Sequence, residues 1–214
     1  MLREFEGLRN EIRNYRIIDK NYPAAIRKCN SYLKVLNILK SKNIKNDLWF
    51  CYHDISLSNR KLNNVNEAIK FGHLAISNTD SSDFRYYSSL WLIAKCNNQL
   101  NNDTMALKLY SECSRFYKEI DDVALRICVI WNKAKIYKNV KGMLNIIKNY
   151  EKNYLKTVIT TYGDFKYDDI LIEMYTDLLN YYLEENNQLE AYKLLYILKD
   201  KSLRKELEKK LKVA

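Results

Sequence analysis

His53 and His73 are the two imidazoles of this 214-residue chain, so a metal site or a serine–histidine–acid arrangement would have to use one of them. Neither lies in an HExxH or GxSxG context. Each reads as a residue on a helix face. Phosphate loops need clustered glycines whose bare backbone can curl round the anion, and Gly7, Gly72, Gly142 and Gly163 stand apart. Asp168-Asp169 and Glu184-Glu185 are adjacent carboxylates, which diverge by about 100° on a helix and do not share a face. Cys29, Cys51, Cys96, Cys113 and Cys128 are single residues in apolar surroundings, with no CxxC pair and no zinc-finger spacing. They read as reduced, buried thiols in a reducing compartment. No catalytic residue, metal ligand or cofactor motif emerges, and the chain is read as a non-enzyme.

The remaining chemistry is that of contact. The formal net charge is +10, concentrated in residues 1–45 and 101–160. Lys and Arg there alternate singly with apolar residues, the pattern of solvated helix faces, so nucleic-acid binding is the less favoured partner class. The 18 tyrosines suit both cores and interfaces, because a Tyr ring packs while its hydroxyl reaches a polar partner.

The elements that hold these residues are helices. With 1 Pro and 4 Gly, the chain lacks the turn chemistry of a many-stranded sheet. A hydrophobic fraction of 47% is too high for a disordered chain. No apolar run reaches the roughly 18 residues of a membrane span, and the start lacks a signal peptide's apolar core, so a soluble, cytoplasmic protein is expected. The pattern predicts helices near 2–18, 22–41, 45–62, 65–78, 82–100, 103–119, 121–138, 141–155, 167–186, 188–198 and 200–212, with the rhythm broken at 157–164.

A repeated device orders them. Asn64-Val65-Asn66-Glu67-Ala68-Ile69 returns as Asn102-Asp103-Thr104-Met105-Ala106-Leu107, again as Asn187-Gln188-Leu189-Glu190-Ala191-Tyr192, and in outline as Asn21-Tyr22-Pro23-Ala24-Ala25-Ile26. Each copy follows one apolar helix, A, and opens another, B, whose small Ala lets the pair approach closely. Leu90, Ile93, Ala94, Ala106 and Tyr110 carry the pattern best; Gly72 replaces the aromatic one repeat earlier, and the copy after Ile130, Ala134 and Tyr137 has a shortened turn and no Ala. These stretches resemble tetratricopeptide repeats. The resemblance implies an all-α fold, a right-handed superhelical stack of antiparallel helix pairs. One domain over 1–214, about five pairs long, is expected, closed by a capping helix at 199–214.

In such a stack the A helices line a concave groove. The register places Asn14, then His53, Leu57 and Arg60, then Trp91, Lys95 and Asn98, and finally Thr176 and Asn180 on that side. Asn can satisfy an extended peptide backbone and Arg or Lys a carboxylate, so the expected partner is a short peptide or protein segment, with Trp91 as its anchor. A homodimer is left open. The Asn-, Lys-, Ile- and Tyr-rich repeats are similar to the sensor halves of peptide-pheromone receptors of Gram-positive bacteria and their phages. That likeness implies a regulatory, quorum-sensing-like peptide sensor. Residues 1–60 hold no helix-turn-helix, so that family's DNA-binding output is missing from this stretch. The alternatives are a phage or mobile-element adaptor or inhibitor, and a basic nucleic-acid-binding helical protein.

Overall fold

The computed structural model describes residues 2–39, 44–120, 122–154, 167–197, 204–205 and 208. The described residues form ten α-helices and no strand. They divide into two compact units, 1–121 and 122–214. The first holds α1 (Leu2–Ile17), α2 (Tyr22–Leu39), α3 (Lys45–Lys61), α4 (Val65–Ile76), α5 (Phe84–Gln99) and α6 (Asp103–Glu119), each packed on the next up to α6. The second holds α7 (Val123–Ile136), α8 (Val140–Tyr154), α9 (Tyr167–Glu184) and α10 (Gln188–Ile197), likewise packed in chain order. The expected break at 157–164 lies outside the described residues. So does most of the expected capping helix, of which Arg204 donates to the Tyr196 carbonyl at 3.1 Å.

The Asn-rich turns explain why one helix stops and the next begins where it does. Asn63, Asn101, Lys138 and Asn186 adopt φ of 64°, 59°, 50° and 54°, the left-handed conformation that closes a helix and that Asn tolerates better than most residues. The amide of the following Asn reaches five residues back: Asn64 to the Asn59 carbonyl at 2.9 Å, Asn102 to Asn97 at 2.8 Å, Asn139 to Ala134 at 3.0 Å and Asn187 to Tyr182 at 2.8 Å. The carbonyl of that same Asn then accepts the bond that opens the hydrogen-bond ladder of helix B, from the amides of Ala68, Ala106, Met143 and Ala191 respectively. One residue thus ends helix A and starts helix B. The turn at 138–139 follows the same hydrogen bonding, with Met143 where the others have Ala.

Ala25, Ala68, Ala106 and Ala191 have no exposed surface, as close packing of A on B requires. Gly72 stands where Tyr110 stands one repeat later because Ile93 takes the space. A Cβ on Gly72 would lie 2.7 Å from Ile93 Cγ1 and 3.2 Å from its Cδ1. Buried polar groups are placed with the same economy: Asn59 donates to the Ile55 carbonyl at 3.0 Å, Asn97 to Ile93 at 2.9 Å, and the Ser56 hydroxyl to the Ala68 carbonyl at 2.6 Å. All five cysteines are buried thiols. No helix among the described residues is long and apolar enough to cross a membrane.

Candidate functional site

Within the first unit the A helices α1, α3 and α5 adjoin one another, α3 lying against both of the others. Two ion pairs tie α1 to α3. Arg9 donates through Nε to Asp47 Oδ1 at 2.8 Å and also through Nη2, and Arg16 donates through Nε to Asp54 Oδ1 at 2.6 Å. Seven residues separate the arginines and seven the aspartates, close to two helical turns, so the pairs form successive rungs on facing sides. Asp47 also accepts the Tyr32 hydroxyl at 2.7 Å. Burial pushes the Tyr32 phenol well above its ordinary range, and the hydrogen bond to the Asp47 carboxylate pushes the same way. Burial disfavours the Arg9 charge, but the adjacent Asp47 carboxylate more than offsets it and keeps the guanidinium firmly protonated.

Between α3 and α5 the contacts are aromatic and polar. Trp49 stacks on His53 with ring centroids 4.9 Å apart, and its indole N–H donates to Ser89 Oγ at 3.0 Å and to the Arg85 carbonyl at 3.1 Å. Burial, then the Arg16 charge, lowers the His53 pKa to about 3, so the ring is neutral near neutrality. Its Nδ1 lies 3.1 Å from Ser89 Oγ.

These helices border an open pocket of about 640 Å³. Arg9, Arg13 and Phe50 line one side, and Trp49, Phe84 and Arg85 another. Arg9 and Arg13, one turn apart, sit over the Phe50 ring at 6.0 and 5.5 Å, and Arg85 sits 5.9 Å from the Trp49 centroid. Arg85 is held in place by Asn46 and by Asp83, whose oxygens accept its Nε at 3.0 and 2.9 Å. Asp83 also caps α5, accepting the Arg85 amide at 2.8 Å. The hydrogen bonds from Arg85 depress its pKa despite the opposing effect of burial.

The residues singled out from the sequence are distributed differently. Arg60, Trp91 and Lys95 come together: the Lys95 ammonium sits 5.1 Å above the Trp91 ring, and the Cys96 thiol, raised to about 11 by burial, feels both Arg60 and Lys95 as opposing charges. Trp91 is 8% exposed, so its ring belongs mainly to the core beneath Lys95. His53 belongs to the Trp49–Ser89 cluster. Leu57 is half-buried and packs on Val65, Ala68, Leu92 and Cys96. Asn98 donates to Asp103 at 3.0 Å, tying the end of α5 to the start of α6. Asn14 is exposed and lies about 100° round α1 from Arg13. In the second unit Asn180 is exposed and Thr176 half-buried on α9. Asp177, next to Thr176 in sequence and about one turn before Asn180, accepts Trp131 Nε1 at 3.0 Å and Lys135 Nζ at 2.7 Å from α7.

The sequence reading passed over Arg9, Arg13, Arg16, Asp47, Asp54 and Arg85. A signal for most of them was present. Arg9, Asp47 and Arg85 are spaced by 38 residues, as are Arg16 and Asp54, and this is the interval from Asn64 to Asn102. Equivalent positions on successive A helices lie side by side, so opposite charges at that interval can pair, as Arg9 with Asp47 and Arg16 with Asp54 do.

No protein-family model and no curated protein matches the chain. Solved structures do resemble it. A Podosopora anserina protein of nearly identical TPR-like repeats, described as a kinesin light chain, superposes with a TM-score of 0.57 at 12% identity, covering 97% of this chain and 96% of that one. BtubC (BKLC) from P. vanneervenii gives a TM-score of 0.57 at 14% identity, covering 94% of this chain and 78% of its own. At these identities the likeness concerns the fold, an all-α TPR-like solenoid, and such folds generally serve protein–protein interaction.

Proposed function

We propose that this chain is a binding module that holds a short peptide or an extended partner segment against the A helices of its first unit. The observation that carries this reading is the open pocket at α1, α3 and α5, where guanidiniums and aromatic rings stand together in fixed positions. Lys95 over Trp91, with Arg60 nearby, extends the same basic and aromatic character along α3 and α5. An extended chain can meet several such groups at once, one set per repeat. Many cations on this face already have carboxylate partners in Asp47, Asp54 and Asp83, which favours discrete ligand groups over a continuous phosphate backbone. The role is regulatory: as in the pheromone-receptor sensors that the repeats resemble, the bound segment sets the state of a partner. Five buried thiols suit a reducing, cytoplasmic setting.

The test is recovery of partners from the native host, followed by titration of the best one against wild type, Lys95→Ala and Asn98→Ala, each confirmed as folded. Loss of binding with Lys95→Ala is the expected result. Trp91→Ala is a poorer probe, because it removes a largely buried ring. Unchanged affinity in both variants would move the site off this stretch of the A helices.

A further inference from the structure

The outer face of α10 departs from a rule that the earlier B helices keep. Counted from the Asn that precedes each B helix, the fifth residue along is Ile26, Ile69, Leu107 and Leu144 in α2, α4, α6 and α8, and each is half-buried. Ile69 shows why: it packs on a cluster that includes Leu92 and Cys96 of α5, the next A helix. In α10 the same position is Tyr192, which is 60% exposed. The second and ninth positions are exposed and polar in the middle copies, Asn66 and His73 in α4, Thr104 and Ser111 in α6, Lys141 and Lys148 in α8. α10 has Leu189 and Tyr196 there, 65% and 84% exposed. Spacings of three and four put Leu189, Tyr192 and Tyr196 on one side of the helix, away from the buried Ala191 and Leu194. Apolar groups thus stand where the repeat itself calls for solvated ones.

We infer that this face of α10 pairs, antiparallel, with the same face of a second copy of the chain. The inference is independent of the peptide-holding reading, which concerns the A helices of the first unit. Charge decides for a second copy. The chain carries a formal net charge of +10, so two copies repel one another across most of their surfaces. α10 is a neutral exception, because Glu190 and Lys193, its two charged residues, pair with each other at 2.6 Å. An uncharged stripe of tyrosine and leucine is where two such cationic chains can meet, and aromatic side chains are enriched at the centres of protein contacts. A two-fold axis through the middle of the stripe sets the two helices antiparallel and brings Leu189 of each copy to Tyr196 of the other.

The test is the molar mass of the full chain, by light scattering and sedimentation equilibrium, over a concentration series reaching about 100 µM. A monomer–dimer equilibrium is expected, and it should tighten as salt screens the repulsion between the two cationic chains. Tyr196→Glu and Leu189→Lys should each weaken dimerisation by about tenfold or more. Both alter exposed residues, so helix content by circular dichroism should match wild type. Mixed in equal amounts, the two variants should regain dimer, since the mixed pair keeps one native contact of Leu189 with Tyr196 and replaces the other by an ion pair. A wild type that stays monomeric throughout overturns the inference, whether the face is then covered by residues 199–214 of the same chain or by a different protein. A dimer that both variants leave at wild-type strength overturns it too, because its interface lies elsewhere. Variants that dissociate and do not recover on mixing overturn the antiparallel pairing.

Discussion

Arg16 and Asp54 meet at 2.6 Å between α1 and α3 with side chains only 14% and 3% exposed. Both charges have left water, so each depends on the other. Asp54→Ala should destabilise the protein by about 3–5 kcal/mol, because it strands the Arg16 cation in the interior. Replacing both residues by leucine should recover much of that loss. Urea melts of the two variants decide the matter; a double variant as unstable as Asp54→Ala would show that the cost lies in packing rather than in the unpaired charge.

Gly72 and Ile93 compete for one space. Gly72→Ala places a methyl group 2.7 Å from Ile93 Cγ1 and should cost about 1–3 kcal/mol through overpacking. Adding Ile93→Ala should cost less in that background than in wild type, since the new methyl group occupies part of the vacated volume. Additive losses would mean that α4 and α5 separate instead of sharing the space.

Lys138 holds φ of 50° where three other turns use Asn. Lys138→Asn should stabilise the second unit by up to about 1 kcal/mol, since Asn visits the left-handed region more readily. The ion pair it sacrifices, to Glu185 at 3.8 Å, joins two well-exposed side chains and contributes little. A rise in the thermal midpoint is the expected reading.

His53 provides a pH signature. Its pKa is lowered from 6.5 to about 3 by burial and by Arg16, so on acidification the unfolded chain takes up the proton first. The stability contributed by the neutral ring is fully present above pH 6.5 and declines as pH falls towards 3. His53→Gln should flatten the fall in stability between pH 7 and pH 5. Identical slopes in urea melts at those two pH values would show that the ring protonates freely in the folded state.

The repeat and its turns were legible because they rest on local chemistry. Asn64 and Ala68 perform two jobs within five residues, and the same pair recurs as Asn102 and Ala106. The side chains of the A helices were harder to place, because each such helix faces its own B helix on one side and the next A helix on another. Leu57 and Asn98 satisfy the groove register equally well, yet Leu57 packs inward and Asn98 turns to Asp103. Lone charges such as Arg9 and Asp47 look like solvated residues until they are compared one repeat apart. Their pairing is a tertiary property written at an interval of 38 residues, beyond the reach of any helical window.

Asp47 belongs to α3, yet its acceptor oxygen is claimed by Arg9 from α1 and by Tyr32 from α2. The first helix pair is therefore more than a removable end piece of a linear array. Cutting the chain ahead of α3 would leave the carboxylates of Asp47 and Asp54 without the cations that face them and would bare Phe50, Cys51 and Ile55 to water. In a chain built from near-neighbour contacts, such a shared acceptor acts as a cooperative lock: the first three helices gain or lose their order together, and the pocket that α1 and α3 line with the start of α5 loses a wall when they do.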